Sequence, residues 1–188
     1  MPETVPAPTI RPASADDADA LLLLGRTLLS ETDFFLRRPG ERAADRQEMQ
    51  GIINSFAENP GWLMLNAWQD GTPVAEAILR TGGLERIAHV GMIGIGVLRA
   101  HWGRGLGRTL MTALEDHAAA FALERLEFTV LAHNHRARDF YRRLGYLEEG
   151  RRHRSVRYGA DPHTGQIRFA DEVLMAKWIG PANCIDCD

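Results

Sequence analysis

Hydrophobic residues fall along this chain in two rhythms, one of three and four and one of two, and the change between them sets out the elements. After a proline-rich lead-in from Pro2 to Pro8, Thr9-Ile10-Arg11 reads as a short first strand. Ala18, Leu21, Leu22, Leu24, Leu28 and Leu29 then recur at helical spacing, and Ser14, three residues before Asp17, supplies a capping box at the start. The rhythm breaks over residues 31–42, and a second helix is predicted from Glu41 to Ala57, ended by Asn59-Pro60-Gly61. Phe34 and Phe35 lie in the break, where they either pack under the helices or line a groove.

Alternation follows. Trp62 to Trp68 and Val74 to Leu79 flank an Asp70-Gly71 turn, which predicts a hairpin. Beyond a second turn at Thr81 to Leu84, Ala88-His89-Val90 leads into a strand in which Met92, Ile93, Ile95, Val97 and Leu98 are interleaved with Gly91, Gly94 and Gly96, leaving room for close approach. Leu106, Leu110, Met111, Leu114, Ala118 and Phe121 restore the helical period, and Leu126 to Leu131 alternates again. That last strand is reached through a helix, so it lies parallel to the one before. A helix from Ala137 to Leu144, a stop at Gly145, and strands at Tyr146 to Glu149 and Phe169 to Trp178 complete an α+β plan. One domain over 1–180 and a tail over 181–188 are expected.

Composition narrows the function. A net charge of -3, with 45% hydrophobic and 25% charged residues, gives no general case for a nucleic-acid partner. Arginines do cluster late, at 136, 138, 142, 143, 151, 152, 154 and 157, but without the interleaved aromatics that stack on bases. The longest aliphatic run, Ala20 to Leu24, is far short of the roughly 20 residues of a membrane span, and a cytoplasmic location with no membrane partner is expected. Both cysteines, Cys184 and Cys187, sit in the tail, so the core is not stapled by disulfides and no metal site is expected.

The chemistry concentrates where strand gives way to helix, at Trp102-Gly103-Arg104-Gly105-Leu106-Gly107-Arg108. A helix that begins inside a glycine run presents free N–H groups and the positive end of its dipole to an anion, so a phosphate ligand is the natural reading. The spacing is wrong for a dinucleotide fingerprint, because the third glycine comes one residue early, and the Lys and Ser or Thr of a nucleoside-triphosphate loop are missing. The arrangement instead resembles the coenzyme A pyrophosphate loop of the GNAT superfamily of N-acyltransferases, with Gly105 and Gly107 at its two small positions. Trp102 stands where that signature has Arg or Gln, which removes a polar contact and leaves the backbone donors intact. A second stretch, Asn134, Ala137, Phe140-Tyr141 and Gly145-Tyr146, resembles the second signature of the same superfamily.

The resemblance covers nearly the whole chain. It implies a mixed, mostly antiparallel sheet with splayed, parallel fourth and fifth strands flanked by helices, and acetyl-CoA as cosubstrate without a metal. It further implies direct acetyl transfer to a primary amine, with a small amine or amino-acid-like acceptor favoured over a protein N-terminus, and a homodimer by family habit. Tyr141 matches the tyrosine that commonly protonates the departing thiolate, a role open to a phenol that is protonated at neutral pH. The backbone of Val97 and Leu98 is expected to pair with the pantetheine amides, and Ala137 and Phe140 complete the cofactor wall. Asn134 either holds the cofactor arm or caps a helix, and Arg104, Arg108 and Arg143 either reach phosphates or lie on solvated faces. Glu76 and His89 are the candidates for the base that deprotonates the amine. Asp16, Asp17, Asp19, Glu31, Asp33, Glu41, Asp45 and Glu48 make the early part acidic, which favours a cationic amine. A non-catalytic module that senses acyl-CoA is the rival from another class.

Overall fold

The structure, a computed structural model, describes residues 7–181, so Cys184, Cys187 and most of the proline-rich lead-in lie outside the described residues. Its principal elements are β1 (Thr9–Pro12), α1 (Ala18–Glu31), α2 (Arg46–Glu58), β2 (Leu63–Gln69), β3 (Thr72–Thr81), β4 (Val90–Val97), α3 (Leu106–Ala120), β5 (Arg125–Leu131), α4 (His135–Arg142), β6 (Leu147–Ala160) and β7 (Ile167–Trp178). The strands form one mixed sheet in the order β1-β2-β3-β4-β5-β7-β6. β4 and β5 run parallel and the other neighbours antiparallel, because α3 is the crossover between these two and short turns join β2 to β3 and β6 to β7.

Alternation along the strands sorts side chains onto the two faces. Ala75, Ala77 and Leu79 of β3 join Ile93 and Leu126 under α3, which buries Leu110, Met111 and Leu114 completely. The intervening Ile78 packs with Leu21, Leu24 and Leu28 of α1 and with Met49, Ile53 and Phe56 of α2 on the opposite face. Each fully buried Leu here contributes about 2 kcal/mol through the apolar area removed from water. The β2–β3 turn is the one its sequence asks for, with Asp70 at φ 50° and Gly71 at φ 75°.

Several element boundaries differ from the sequence expectation, and three elements show why. α2 begins at Arg46 and not at Glu41, because the Asp45 carboxylate caps it by accepting from Glu48 N–H at 2.9 Å while Glu48 accepts from Ala44 N–H. The last helix runs over His135–Arg142, two residues earlier than expected at each end, because Asn134 supplies its N-cap. The largest difference is β6, which continues to Ala160 although the expectation ended at Glu149. β6 is an edge strand, exposed along most of its length, and its arginine-rich sequence carries no alternation to read. It is held by β7 across several register shifts, one of them at Arg154, whose positive φ of 52° is fixed by donation of its N–H to Asp171 at 2.7 Å. Such bulges bend a strand. Beyond the bend, Tyr158 donates its hydroxyl to the Asp33 carbonyl at 3.0 Å, tying the hairpin to the segment between α1 and α2.

Candidate active site

The site begins as a defect in the sheet. β4 and β5 pair only from Val90 to Met92 against Arg125 to Glu127, although β4 runs on to Val97 and β5 to Leu131. Each strand stays with its outer neighbour, β3 or β7, so the two halves of the sheet diverge and leave facing backbone groups unpaired. A cavity of about 550 Å³ fills the gap, walled by Ile93 to Val97 on one side and Phe128 to Val130 on the other. Leu98 N–H is spent on the Val74 carbonyl at 3.0 Å and Leu98 does not line the cavity. By the alternation of the strand, Val97 N–H points the other way, into the gap. Of the two expected backbone contacts, the structure therefore offers Val97 and uses Leu98 for the sheet.

The glycine loop closes one end of this cavity. Gly103 and Gly105 have φ of 77° and 82°, and a Cβ at either would meet nothing, so the left-handed turn and not space requires glycine there. At Gly107 a Cβ would lie 3.2 Å from Cζ of Phe140, so that glycine lets α3 and α4 approach. The first intrahelical acceptor is Gly105 O, taken by Thr109 N–H, so the N–H groups of Leu106, Gly107 and Arg108 face the cavity end without helical partners. Together they form an anion cradle at a positive helix end.

Trp102 does more than leave a polar contact out. Its Nε1–H donates to the Val97 carbonyl at 2.6 Å, and its ring lies 4.3 Å from the Arg136 guanidinium. The indole thus ties the loop to the end of β4 and carries a cation toward the cradle, a contribution of Arg136 that only its position in space reveals. Arg108 and Arg143 line the cavity; Arg104 does not. Ala137 and Phe140 line it too, and Asn134 does both of its open roles' groundwork, since it borders the cavity while its Oδ1 accepts from Ala137 N–H at 3.2 Å.

Tyr141 faces the same cavity from α4. Its ring lies against Phe128 at 4.2 Å, Phe140 at 5.1 Å and Tyr146 at 6.2 Å. Burial pushes its phenol well above the usual tyrosine range, so the group holds its proton as a donor should.

With this geometry in hand, likeness to known proteins becomes informative. Residues 27–146 match the sequence profile of the Acetyltransferase (GNAT) family. The chain belongs to that family. An uncharacterized N-acetyltransferase of Bacillus subtilis (strain 168), YdgE, is 30% identical over 108 residues, which is 57% of this chain and 60% of the relative. The chain therefore matches less than two thirds of that relative's length. Among solved structures, a GNAT-family acetyltransferase from Streptococcus pneumoniae is 26% identical with a TM-score of 0.83, covering 92% of this chain and 99% of that one. YncA of Salmonella typhimurium, described as a putative acetyltransferase and solved with its cofactor acetyl-CoA, is 18% identical with a TM-score of 0.78, over 97% of this chain and 100% of that one. The latter shows that the fold is shared.

Set on this GNAT frame, neither expected base lines the cavity, although Glu76 stands opposite the cavity-lining Gly96 in the sheet register. Glu76 points toward the α1–α2 layer, where Arg42 clasps both its oxygens at 3.1 and 2.7 Å. Arg42 reaches it by crossing Gly25, where a Cβ would sit 2.3 Å from Arg42 Nε. His89 is at the far end of β4, its carbonyl taken by Glu124 and Arg125 N–H and its ring 6.4 Å from Trp178. The groups at the cavity able to accept a proton are instead Glu31, at the end of α1, and His101, in the short turn before the glycine loop. Glu31 accepts from Arg99 N–H at 2.8 Å, a contact across 68 residues that no local pattern announces. Most of the other early acids are used within the fold: Asp17 pairs with Arg11, Asp19 with Arg46, Glu41 accepts from Arg38 N–H, and Asp45 and Glu48 cap α2. Among the described residues no cluster of three His, Cys, Asp or Glu could hold a metal, and no helix is long and apolar enough to cross a membrane.

Proposed function

We propose that the protein is an acetyl-CoA-dependent N-acetyltransferase that acetylates the primary amine of a small molecule by direct attack. The observation that carries this reading is the meeting, in one cavity, of the α3 N–H cradle, the unpaired edge of β4 and the half-buried Tyr141 phenol. The cradle with Arg108, Arg143 and Arg136 suits the phosphates of coenzyme A, and the Val97 N–H suits an amide of its arm. The amine's lone pair attacks the thioester carbonyl, the C–N bond forms, and the tetrahedral adduct collapses by breaking C–S. Tyr141 gives its proton to the departing sulfur, and the proton lost from the attacking nitrogen goes to water, with Glu31 or His101 as its eventual acceptor. The order of charges favours this division, since a phenol held neutral cannot serve as the base.

Release of free thiol from acetyl-CoA, measured with polyamines, amino acids, aminoglycosides and short peptides for wild type and Tyr141→Phe, tests the proposal. Amine-dependent release that falls in the variant supports it. Tight acetyl-CoA binding without release for any amine would favour the sensing module.

A further inference from the structure

At Thr32 and Phe34 the main cavity borders a second one, of about 630 Å³, between the α1–α2 segment and the β6–β7 hairpin. Its walls gather residues from four distant parts of the chain: Asp33, Arg99, His133, Arg151, Tyr158 and Arg168. A row of rings forms one side, with Phe34 5.6 Å from His133 and His133 6.3 Å from Tyr158. The row is fixed by the Tyr158 hydroxyl bonded to Asp33 O.

The charges of this second cavity are unevenly committed. Asp171 is satisfied by Arg151 Nε at 2.8 Å, His153 Nδ1 at 3.2 Å and Arg154 N–H at 2.7 Å. Arg99 and Arg168 have no carboxylate within ion-pair distance among the described residues; Arg168 rests 5.6 Å over the Tyr158 ring and Arg99 5.5 Å over Trp102. Rings place a guanidinium without occupying its donors, which stay available for a planar or tetrahedral oxyanion. The remaining carboxylate, Asp33, lies on the segment that both cavities share. The arrangement of signs suits a zwitterion, its amine toward the loop and its anionic end toward Arg99 and Arg168.

We infer that this cavity is the acceptor's anion subsite, so that the amine acetylated by this enzyme carries a carboxylate or phosphate group read by Arg168 and Arg99. The inference rests on the acetyl-transfer reading and names the acceptor class within it. It also narrows the expectation of a cationic amine to one that carries an acid group as well, because most of the early acids that suggested the cation are used by the fold, Glu31 by Arg99 N–H and others as given above.

Calorimetric titration of the full chain saturated with coenzyme A tests it. The probes are the standard primary-amine L-amino acids and phosphoethanolamine, each beside a counterpart neutral at the acid position, the carboxamide or ethanolamine. An acid-bearing probe is expected to bind about tenfold more tightly than its neutral partner, and Arg168→Met or Arg99→Met to remove that difference while leaving coenzyme A and the neutral partner unaffected. The arm that responds tells carboxylate from phosphate. Equal binding of charged and neutral members, no binding by any acid-bearing probe, or variants that weaken both members alike would overturn the inference. Failure to bind coenzyme A would instead refute the acetyl-transfer reading, and the same titration of the free protein would still decide the subsite.

Discussion

The two ends of the cleft are built from different materials. The cradle end is backbone: N–H groups of the first turn of α3, glycines at φ of 77° and 82°, and a strand edge left open by the splay of β4 from β5. It needs only the contiguous segment from Val97 to Arg108 and the nearby helix α4. The proposed acceptor end is side chain: Phe34, Arg99, His133, Tyr158 and Arg168, held together by contacts such as Tyr158 to Asp33 across 125 residues. A backbone site is specified by local conformation and tolerates change in most side chains. A side-chain site is specified by tertiary placement and can change its ligand by changing one residue, which suits a fold that keeps one cosubstrate and varies the acceptor.

The sharpest way to break this division is at Tyr141, the side chain proposed to protonate the departing thiolate. Tyr141→Phe is expected to lower kcat about 10²- to 10⁴-fold with acetyl-CoA affinity unchanged, measured by thiol release and calorimetry. Because burial raises its pKa, the wild-type rate is expected to show no loss on the alkaline side attributable to this group up to the ordinary tyrosine range. An unchanged kcat would remove Tyr141 from the chemistry.

Next in size is the Arg42–Glu76 pair, which belongs to the scaffold between the two ends. Both side chains are nearly buried, at 14% and 12% exposure, so Glu76→Gln leaves a guanidinium short of its counter-charge and is expected to cost about 3 kcal/mol in urea unfolding. Activity per folded molecule should hold. A collapse of kcat in a fully folded Glu76→Gln would return the base to β3.

A smaller effect is expected at Asp17, whose carboxyl the Arg11 fork holds down to about 2, from 3.8, with help from Ser14. A depressed folded-state pKa stabilises at pH values above the ordinary one and is lost as pH falls toward the folded value. Between pH 3.8 and about 2 the wild type should therefore lose stability that Asp17→Asn never has, the variant costing about 1 to 2 kcal/mol at neutral pH with acetyl transfer untouched. The smallest is Tyr158→Phe. Loss of its bond to Asp33 should reduce stability by about 1 kcal/mol or less and raise the acceptor KM a few-fold, leaving the acetyl-CoA KM in place. A rise in both KM values would show that the two ends are not independent.

The same contrast explains what could be read in advance. The α+β order, the parallel β4 and β5, and the places of the glycine loop and Tyr141 beside one cavity were legible because each is written in a periodic or contiguous stretch. Leu98 and Glu76 sit at equally suggestive positions, yet the structure spends the first on β3 and the second on Arg42, and neither partner lies nearby in sequence. Trp102 looked like a lost contact because its compensation, Arg136, arrives from the far side of α3 and β5. β6 was legible only to Glu149, since an edge strand exposed along most of its length has no buried face to impose alternation.

By itself the sequence determined where strands and helices form and where a helix would offer its N–H groups to an anion, because helix period, strand alternation and glycine conformation are local properties of the chain. The tertiary structure alone decided which charges are free. Pairing depends on distance in space, and it is the folding of β6 and β7 back over the segment after α1 that leaves Arg99 and Arg168 facing a cavity while Asp17, Asp19 and Glu31 are already bound.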